Sequence, residues 1–101
     1  MLRIWARTTQ ELKITRSYIY TSVDNFSNEE FHLHIQKICN ELDIPTPIIL
    51  PSHINNFVEF NYTTFLARDF IESVDFDKFI IENAIMWFII AFFLYIKLWI
   101  P

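Results

Sequence analysis

The chain has no glycine among its 101 residues. Glycine is the residue that enters left-handed backbone conformations without steric cost, so each such turn must use Asn, Asp or another residue with a Cβ atom. Phosphate-binding loops, GxGxxG dinucleotide motifs and GxSxG nucleophile turns need glycine where the backbone approaches a ligand or bends sharply. The composition therefore excludes these three kinds of site.

A second constraint is the apolar segment formed by residues 84–100, whose only charge is Lys97. A helix through this segment has no polar side, so the segment needs lipid, a partner or a deep core around it. As a helix it would rise about 25 Å, near the lower limit for a bilayer core of about 30 Å. We predict a C-terminal membrane anchor. The alternatives are a helix covered by protein, in the core or in a homo-oligomer interface, and a non-native end.

Aromatic residues lie toward both ends of the apolar segment, where their amphipathic rings favour the membrane interface. The residues expected to mark the span are Ala84, Trp87, Phe92, Tyr95 and Trp99. Because only the last few residues would have to cross, we expect the preceding domain to be cytoplasmic and attached to the membrane. The alternative localisation is cytoplasmic, without attachment.

The part that precedes this segment, residues 1–83, is acidic. It holds seven Lys and Arg against twelve Asp and Glu, which gives a net charge of −5, and Lys97 brings the chain to −4. Such a domain is a poor general binder of polyanions. Cys39 is the only cysteine, so no intramolecular disulfide is possible. The cysteine content is therefore compatible with a protein of the reducing cytoplasm.

Periodicity predicts a hairpin at the N-terminus. Leu2, Ile4 and Ala6 alternate with polar or aromatic residues, as in a half-buried strand, and residues 12–21 repeat the pattern. On the second strand the predicted inner side carries Leu12, Ile14, Tyr18 and Tyr20. A loop of four residues, 8–11, is expected between the strands, because a two-residue primed turn usually needs glycine.

A capping box at Ser27 and Glu30 predicts one main helix, over about residues 27–42. Its apolar stripe, which we expect to pack on the sheet, consists of Phe31, Ile35, Ile38, Cys39 and Leu42. Pro45 ends the helix, because proline disfavours helical backbone at the residue before it.

The second half of the domain is predicted to be mainly extended. Residues 44–51 are proline-rich and apolar, which suits an extended or edge segment, and Ser52 caps a short turn. Alternation predicts a strand over residues 58–66, a helical turn near 68–73 and a last strand over 76–82, with Phe79 and Ile81 facing inward. The order β-β-α-β-β predicts an α+β, two-layer domain with an antiparallel sheet over residues 1–83, followed by the C-terminal apolar helix.

A soft pattern in this half is similar to a known family. It comprises LDIPTP at 42–47, PSH at 51–53, Phe60, Thr64 with Phe65, FIESVDFDK at 70–78, and Ile81 with Glu82. Over about residues 2–82 the chain resembles a family of small uncharacterised bacterial proteins. The resemblance implies no activity, cofactor or site residue. Members of that family end near the position of Glu82, so the apolar segment is either an added anchor or a frameshifted or read-through end.

Candidate metal and catalytic groups are weak. His32 and His34 are two residues apart on a helix and point about 200° away from each other, so they cannot share an ion; Cys39 belongs to the apolar stripe. A calcium loop starting at Asp75 would need glycine at its sixth position, which is Ile80. The late carboxylates, Asp69, Glu72, Asp75, Asp77 and Glu82, are expected to form a solvated edge. We predict no catalytic residue, metal or cofactor.

The best candidate for a binding surface is the side of the hairpin that carries Arg3, Trp5, Arg7 and Lys13. Basic residues beside an aromatic ring suit an acidic protein partner, anionic lipid headgroups or single-stranded nucleic acid. We therefore predict a non-enzymatic interaction module that is attached to a membrane and binds an unidentified protein. A soluble cytoplasmic module associated with nucleic acid is the alternative.

Overall fold

A computed structural model, which describes residues 1–84, contains one antiparallel sheet of four strands and two helices. In chain order the elements are β1 (Leu2–Gln10), β2 (Lys13–Ser22), α1 (Phe31–Leu42), α2 (Pro51–Phe60), β3 (Tyr62–Leu66), a 3₁₀ turn (Ala67–Asp69) and β4 (Lys78–Asn83). The strand order is β2-β1-β4-β3. The predicted α+β class is confirmed, whereas the C-terminal helix predicted from residue 84 onward falls outside the described residues except for Ala84.

The two strands of the hairpin meet in a two-residue turn at Glu11 and Leu12. Their φ angles are 50° and 70°, and positive φ at both central residues is the pattern of a type I′ turn, whose twist matches that of the strands. The predicted four-residue loop is therefore wrong. Two residues with Cβ atoms adopt the left-handed conformation, and the strand pairing that follows offsets its steric cost.

The strand β2 has one more residue than its partner. Thr8 pairs with Arg16 while Thr9 pairs with Ile14, so Thr15 forms a β-bulge. The hydroxyl oxygen of Thr15 lies 2.8 Å from that of Thr8, which is fully buried. Because side chains alternate along a strand, the extra residue reverses the side on which the residues before it lie.

The bulge changes the predicted inner side of β2. Tyr20 is buried in the core and Tyr18 packs against it, as predicted. Ile14 instead pairs with Thr9 on the opposite side of the sheet and is 53% exposed, and Leu12 stands in the turn. Strict alternation in the sequence cannot reveal an inserted residue.

Helix α1 begins at Phe31, a turn later than predicted, and ends at Leu42 as predicted. The Ser27 hydroxyl accepts the amide N–H of Glu30 at 3.3 Å, which is one half of the expected capping box. At the other end Asp43 is left-handed, with φ of 57°. The amide of Ile44 then donates to the Cys39 carbonyl at 3.0 Å, as in a Schellman motif. Burial of the whole predicted stripe is confirmed: Phe31, Ile35, Ile38, Cys39 and Leu42.

Helix α2 replaces the predicted short turn and the first part of the predicted strand over 58–66. Pro51 occupies the first helical turn, where its missing N–H costs nothing, and His53 and Phe57, four residues apart, face the core. Asn61, with φ of 65°, ends the helix. The alternation read across residues 58–66 therefore combined the end of a helix with the start of a strand.

The remaining strands are shorter than predicted. In β3 the buried residues are Thr63 and Phe65, so the alternate residues Tyr62, Thr64 and Leu66 lie on the side of the sheet away from the core. The predicted helical turn is the 3₁₀ turn, which lies slightly earlier than residues 68–73. The inward positions of Phe79 and Ile81 in β4 are confirmed.

The core lies between one side of the sheet and both helices. Phe65 of β3 stacks on Phe79 of β4 with ring centroids 5.7 Å apart, and Phe31 of α1 contacts Phe57 of α2 at 5.6 Å. Leu2, Ile4 and Ala6 of β1 complete this side. Both described helices pack on this side, which leaves the alternate residues of every strand on the other.

Candidate functional site

The side of the sheet that faces away from α1 and α2 is called here the outer face. Its members follow from the strand register, since residues directly opposite each other in antiparallel strands share a side. They are Arg3, Trp5, Arg7 and Thr9 of β1, Ile14, Ser17, Ile19 and Thr21 of β2, Lys78, Ile80 and Glu82 of β4, and Tyr62, Thr64 and Leu66 of β3. The surface therefore combines aromatic, aliphatic and charged groups.

The centre of the outer face is a packed group of three side chains. The guanidinium carbon of Arg7 lies 3.9 Å from the ring centroid of Trp5, in cation–π geometry. Nη2 of Arg7 lies 3.3 Å from Oε1 of Glu82, and the indole N–H of Trp5 donates to the Ser17 hydroxyl at 2.9 Å. These contacts fix the orientation of Trp5 and Arg7.

The ends of the Arg7 guanidinium differ in their contacts. Nη2 is paired with Glu82, whereas Nη1 is enclosed and has no hydrogen-bond partner among the described residues. A guanidinium presents several donors in a fixed plane and is suited to carboxylate or phosphate oxygens. The donor capacity of Arg7 is therefore only partly used within residues 1–84.

The outer face is positive although the domain is acidic. It carries Arg3, Arg7 and Lys78 against Glu82 alone, whereas residues 1–83 have a net charge of −5. The acidic groups therefore lie mostly elsewhere, and a local positive surface attracts anionic groups at short range.

Of the four residues predicted for the binding surface, the structure brings three together. Arg3, Trp5 and Arg7 share the outer face. Lys13 pairs with Gln10 beside the turn, at a register position that belongs to the other side, because the bulge at Thr15 intervenes. Lys78 supplies a cation on the outer face instead.

His53 and Asp69 connect α2 to the 3₁₀ turn. Nδ1 of His53 accepts the amide N–H of Leu50 at 2.9 Å, so Nε2 carries the proton of the neutral ring and points toward Oδ2 of Asp69 at 3.6 Å. The same carboxylate oxygen accepts the amide N–H of Leu66 at 2.8 Å. Burial lowers the pKa of His53, and the nearby Asp69 charge only partly opposes this effect. Both side chains hold backbone groups.

A second buried histidine lies between α1 and the hairpin. The hydroxyl of Tyr20 and Nδ1 of His34 are 2.7 Å apart, and both residues are buried. Nε2 of His34 lies 3.9 Å from Oε2 of Glu30, beyond hydrogen-bond distance. The main contact of His34 is therefore Tyr20, which the sequence did not reveal, while Glu30, four residues earlier on the chain, is more distant.

The late carboxylates are distributed among separate contacts. Asp75 forms two hydrogen bonds with the Arg16 guanidinium, of 2.9 and 3.2 Å. These bonds lower the pKa of Asp75 and raise the pKa of Arg16. Asp77 accepts the Glu11 amide N–H at 2.9 Å, which ties the hairpin turn to the loop before β4.

Cys39 is buried in the core, and burial raises the pKa of its thiol to about 12. A thiol in this state is a poor nucleophile at neutral pH. Within residues 1–84, no three His, Cys, Asp or Glu side chains come close enough to hold a metal ion. Neither of the two helices in that range has the length and apolar character that a membrane span requires. Of the residues predicted to mark the span, Trp87, Phe92, Tyr95 and Trp99 lie outside the described residues.

Sequence reasoning missed the contribution of β3 and β4 to the outer face. Alternation placed Phe79 and Ile81 inward, which puts Lys78, Ile80 and Glu82 on the opposite side. The pairing of Glu82 with Arg7 joins residues 75 positions apart, and no local pattern reports which strand lies beside β1.

Comparison of the chain with protein-family models, with curated proteins and with solved structures returns no match. The resemblance to small bacterial proteins therefore stays a prediction, and a function has to be argued from the outer face itself.

Proposed function

We propose that this protein is a non-enzymatic interaction module, attached to a membrane by its C-terminal apolar segment and facing the cytoplasm, which binds an acidic segment of another protein through the outer face. The observation that carries the proposal is the contrast in charge: three cations and one anion lie on the outer face of a domain whose net charge is −5. His53 and Asp69 are a neighbouring histidine and carboxylate that could in principle act as an acid–base pair. Both accept hydrogen bonds from backbone amides instead, which supports a non-enzymatic role.

The point where the chain leaves the sheet supports the attachment. The amide N–H of Ala84 donates to the carbonyl of Arg3 at 2.8 Å, immediately after β4 ends at Asn83. The apolar segment therefore begins beside Arg3, at one end of the outer face. A basic end next to the membrane suits the negative cytoplasmic surface.

The composition of the outer face favours a protein partner over a polyanion. One row across the sheet consists of Ile19, Trp5, Glu82 and Tyr62. Aliphatic and aromatic groups in that row offer apolar contact area, and Glu82 would repel a continuous line of phosphates. A segment with a few carboxylates among apolar residues matches this mixture of groups.

Membrane attachment is tested by fractionation of the full-length protein with a carbonate wash. We expect the wild type in the membrane pellet and a variant with Ala91→Arg and Phe92→Arg in the supernatant, because each arginine at the centre of a span costs about 2.5–3.5 kcal/mol. Ile71→Arg, at an 88% exposed loop position, is the matched control and should stay in the pellet. Wild-type protein in the supernatant would refute the anchor.

The partner surface is tested with a photo-crosslinking residue at Thr64, on the outer face, and separately at His32, on the exposed side of α1. In membranes we expect a crosslinked protein only from position 64, and loss of that product in a Lys78→Glu background. Lys37→Glu, on α1, is the control charge reversal and should leave the product unchanged. Equal products from both positions would contradict a role for the outer face.

Association with nucleic acid is the second candidate, because Trp5 and Tyr62 lie on the same side as Arg3 and Arg7. Aromatic rings beside cations bind single strands by stacking and phosphate contact. This function predicts binding to a single-stranded oligonucleotide that weakens with salt and with Arg3→Glu. Absence of any anisotropy change at low salt would exclude it.

A further inference from the structure

We propose that two copies of this chain join along β2, edge to edge and antiparallel, about a two-fold axis at Ile19, so that the two sheets form one of eight strands. Among the described residues, β2 pairs with β1 along one edge and no strand lies along the other. A strand of ten residues with an unpaired edge is a template for a further strand.

Apolar residues along β2 select the register. Ile14 and Ile19 are 53% and 47% exposed, and Val23, directly after the strand, is 91% exposed. The bulge at Thr15 brings Ile14 to the side on which Ile19 lies. Val23 is the first residue after β2, in the bend that ends the strand. With Ile19 on the axis, Ile19 meets its own copy and Ile14 lies near Val23.

Neighbouring registers match these groups less well. An axis at Tyr18 places Ile19 opposite Ser17, and an axis at Tyr20 places Ile19 opposite Thr21. Registers that move the axis by half a residue would place inner residues opposite outer ones, which a continuous sheet does not allow.

Charge agrees with the same register. Because Thr15 adds one residue, Lys13 of one copy lies at the level of Asp24 in the other, in the bend just beyond Ser22 where β2 ends, and the two-fold axis repeats this proximity of opposite charges. The remaining charge on β2, Arg16, lies opposite Ser22 and is already bonded to Asp75. No like charges on the two strands meet, and opposite charges across an interface fix its register.

The assembly would extend the outer face. Ile19 is the register partner of Trp5, so the row of Tyr62, Glu82, Trp5 and Ile19 continues directly into the same row of the second copy. Two outer faces would then form one surface with Trp5 of each copy on either side of the axis.

The register is tested by oxidative crosslinking of the full-length protein in detergent micelles. Ile19→Cys should form a disulfide-linked dimer, because directly opposed residues have Cα atoms about 4.5–5.5 Å apart. Thr21→Cys, on the same strand and the same side, should not, because its copy would be about 13 Å away along the strands. Wild-type protein, whose thiol Cys39 is buried, should not crosslink. Equal crosslinking of positions 19 and 21, or none at 19, would overturn the proposal.

The charge pair gives a second test, which distinguishes the proposed interface from a dimer held together only by the apolar segments in a micelle. The stability of such a dimer would not depend on these two charges. Lys13→Asp alone and Asp24→Lys alone each replace two attractive pairs with repulsive ones, and we expect either to weaken the dimer about tenfold in light-scattering measurements. The double variant should regain the wild-type dimer fraction. A monomeric wild type, or a double variant as weak as the single ones, would contradict the proposed interface.

Discussion

The imidazole of His53 spans the distance between Leu50 and Asp69, accepting an amide at 2.9 Å on one nitrogen and directing the other toward a carboxylate at 3.6 Å. The neutral ring is the form that makes the first of these contacts. Burial lowers the pKa of His53 below its ordinary value of 6.5, so the unfolded chain takes up a proton at a higher pH than the folded chain does.

The pH dependence of stability follows from this difference. The contribution of His53 to the free energy of unfolding is fully present above about pH 6.5. It decreases as the pH falls toward the pKa of His53 in the folded protein, because the unfolded state then binds more protons. Urea unfolding of the full-length protein in mild detergent, between pH 8 and pH 5, should show this loss. The slope should flatten in His53→Gln and persist in His32→Gln, whose ring is on the exposed side of α1; an unchanged slope in His53→Gln would contradict the assignment.

The buried contact between Tyr20 and His34 predicts a non-additive pair of substitutions. Tyr20→Phe leaves Nδ1 of His34 buried without a partner and should lower the free energy of unfolding by about 1–3 kcal/mol. Tyr20→Phe combined with His34→Leu removes both polar groups and should recover part of that loss. A double-mutant cycle by urea unfolding measures the coupling; strictly additive values would mean that the bond contributes nothing.

The turn at Leu12 predicts a stabilising substitution. Leu12 is 94% exposed and has φ of 70°, so Leu12→Gly loses little packing and relieves a left-handed strain of about 1–2 kcal/mol. The greater freedom of glycine in the unfolded chain costs about 0.4–1 kcal/mol, so we expect a net gain of up to about 1.6 kcal/mol. Leu33→Gly, on the exposed side of α1, should instead lose about 1 kcal/mol. Destabilisation of both variants in thermal unfolding would contradict the turn geometry.

The position of Phe65 predicts a large packing effect. Its side chain is fully buried, stacks on Phe79 and contacts the His53 ring at 4.3 Å between centroids. Phe65→Ala should cost about 3–5 kcal/mol and Phe65→Leu less than about 1.5 kcal/mol in denaturant unfolding. Phe60→Ala, at a 56% exposed position, serves as the control with a cost of about 0.5 kcal/mol. A similar cost for positions 60 and 65 would mean that the β3 register is different.

Local patterns correctly predicted those helices and strands in which one hydrophobic period runs through a single element. The stripe of α1 and the alternation of β1 belong to single elements, so burial of Ile35, Ile38, Leu2 and Ile4 followed from periodicity alone. Alternation across residues 58–66 failed because Asn61, a left-handed residue, separates a helix from a strand while the apolar residues on both sides happen to keep a period of two.

The outer face was only half predictable. Arg3, Trp5 and Arg7 are two residues apart in one strand, and their common side is a local property. The exclusion of Lys13 depends on a bulge, and the arrival of Glu82 and Lys78 depends on the pairing of β1 with β4, which long-range contacts decide.

The bulge also determines which length changes this chain can tolerate. Deleting Thr15 would leave every other pair of the hairpin unchanged, since Arg16 already lies opposite Thr8 and Ile14 already lies opposite Thr9. Deleting a regularly paired residue farther along β2, such as Tyr18 or Tyr20, would instead move part of the strand by one position and reverse the sides on which its side chains lie. If Ile14 or Arg16 is lost, Thr15 can take its place in the register. Single-residue deletions at the bulge are therefore the ones that keep the sheet intact, so relatives whose hairpin is one residue shorter would be expected to lack a residue within 14–16.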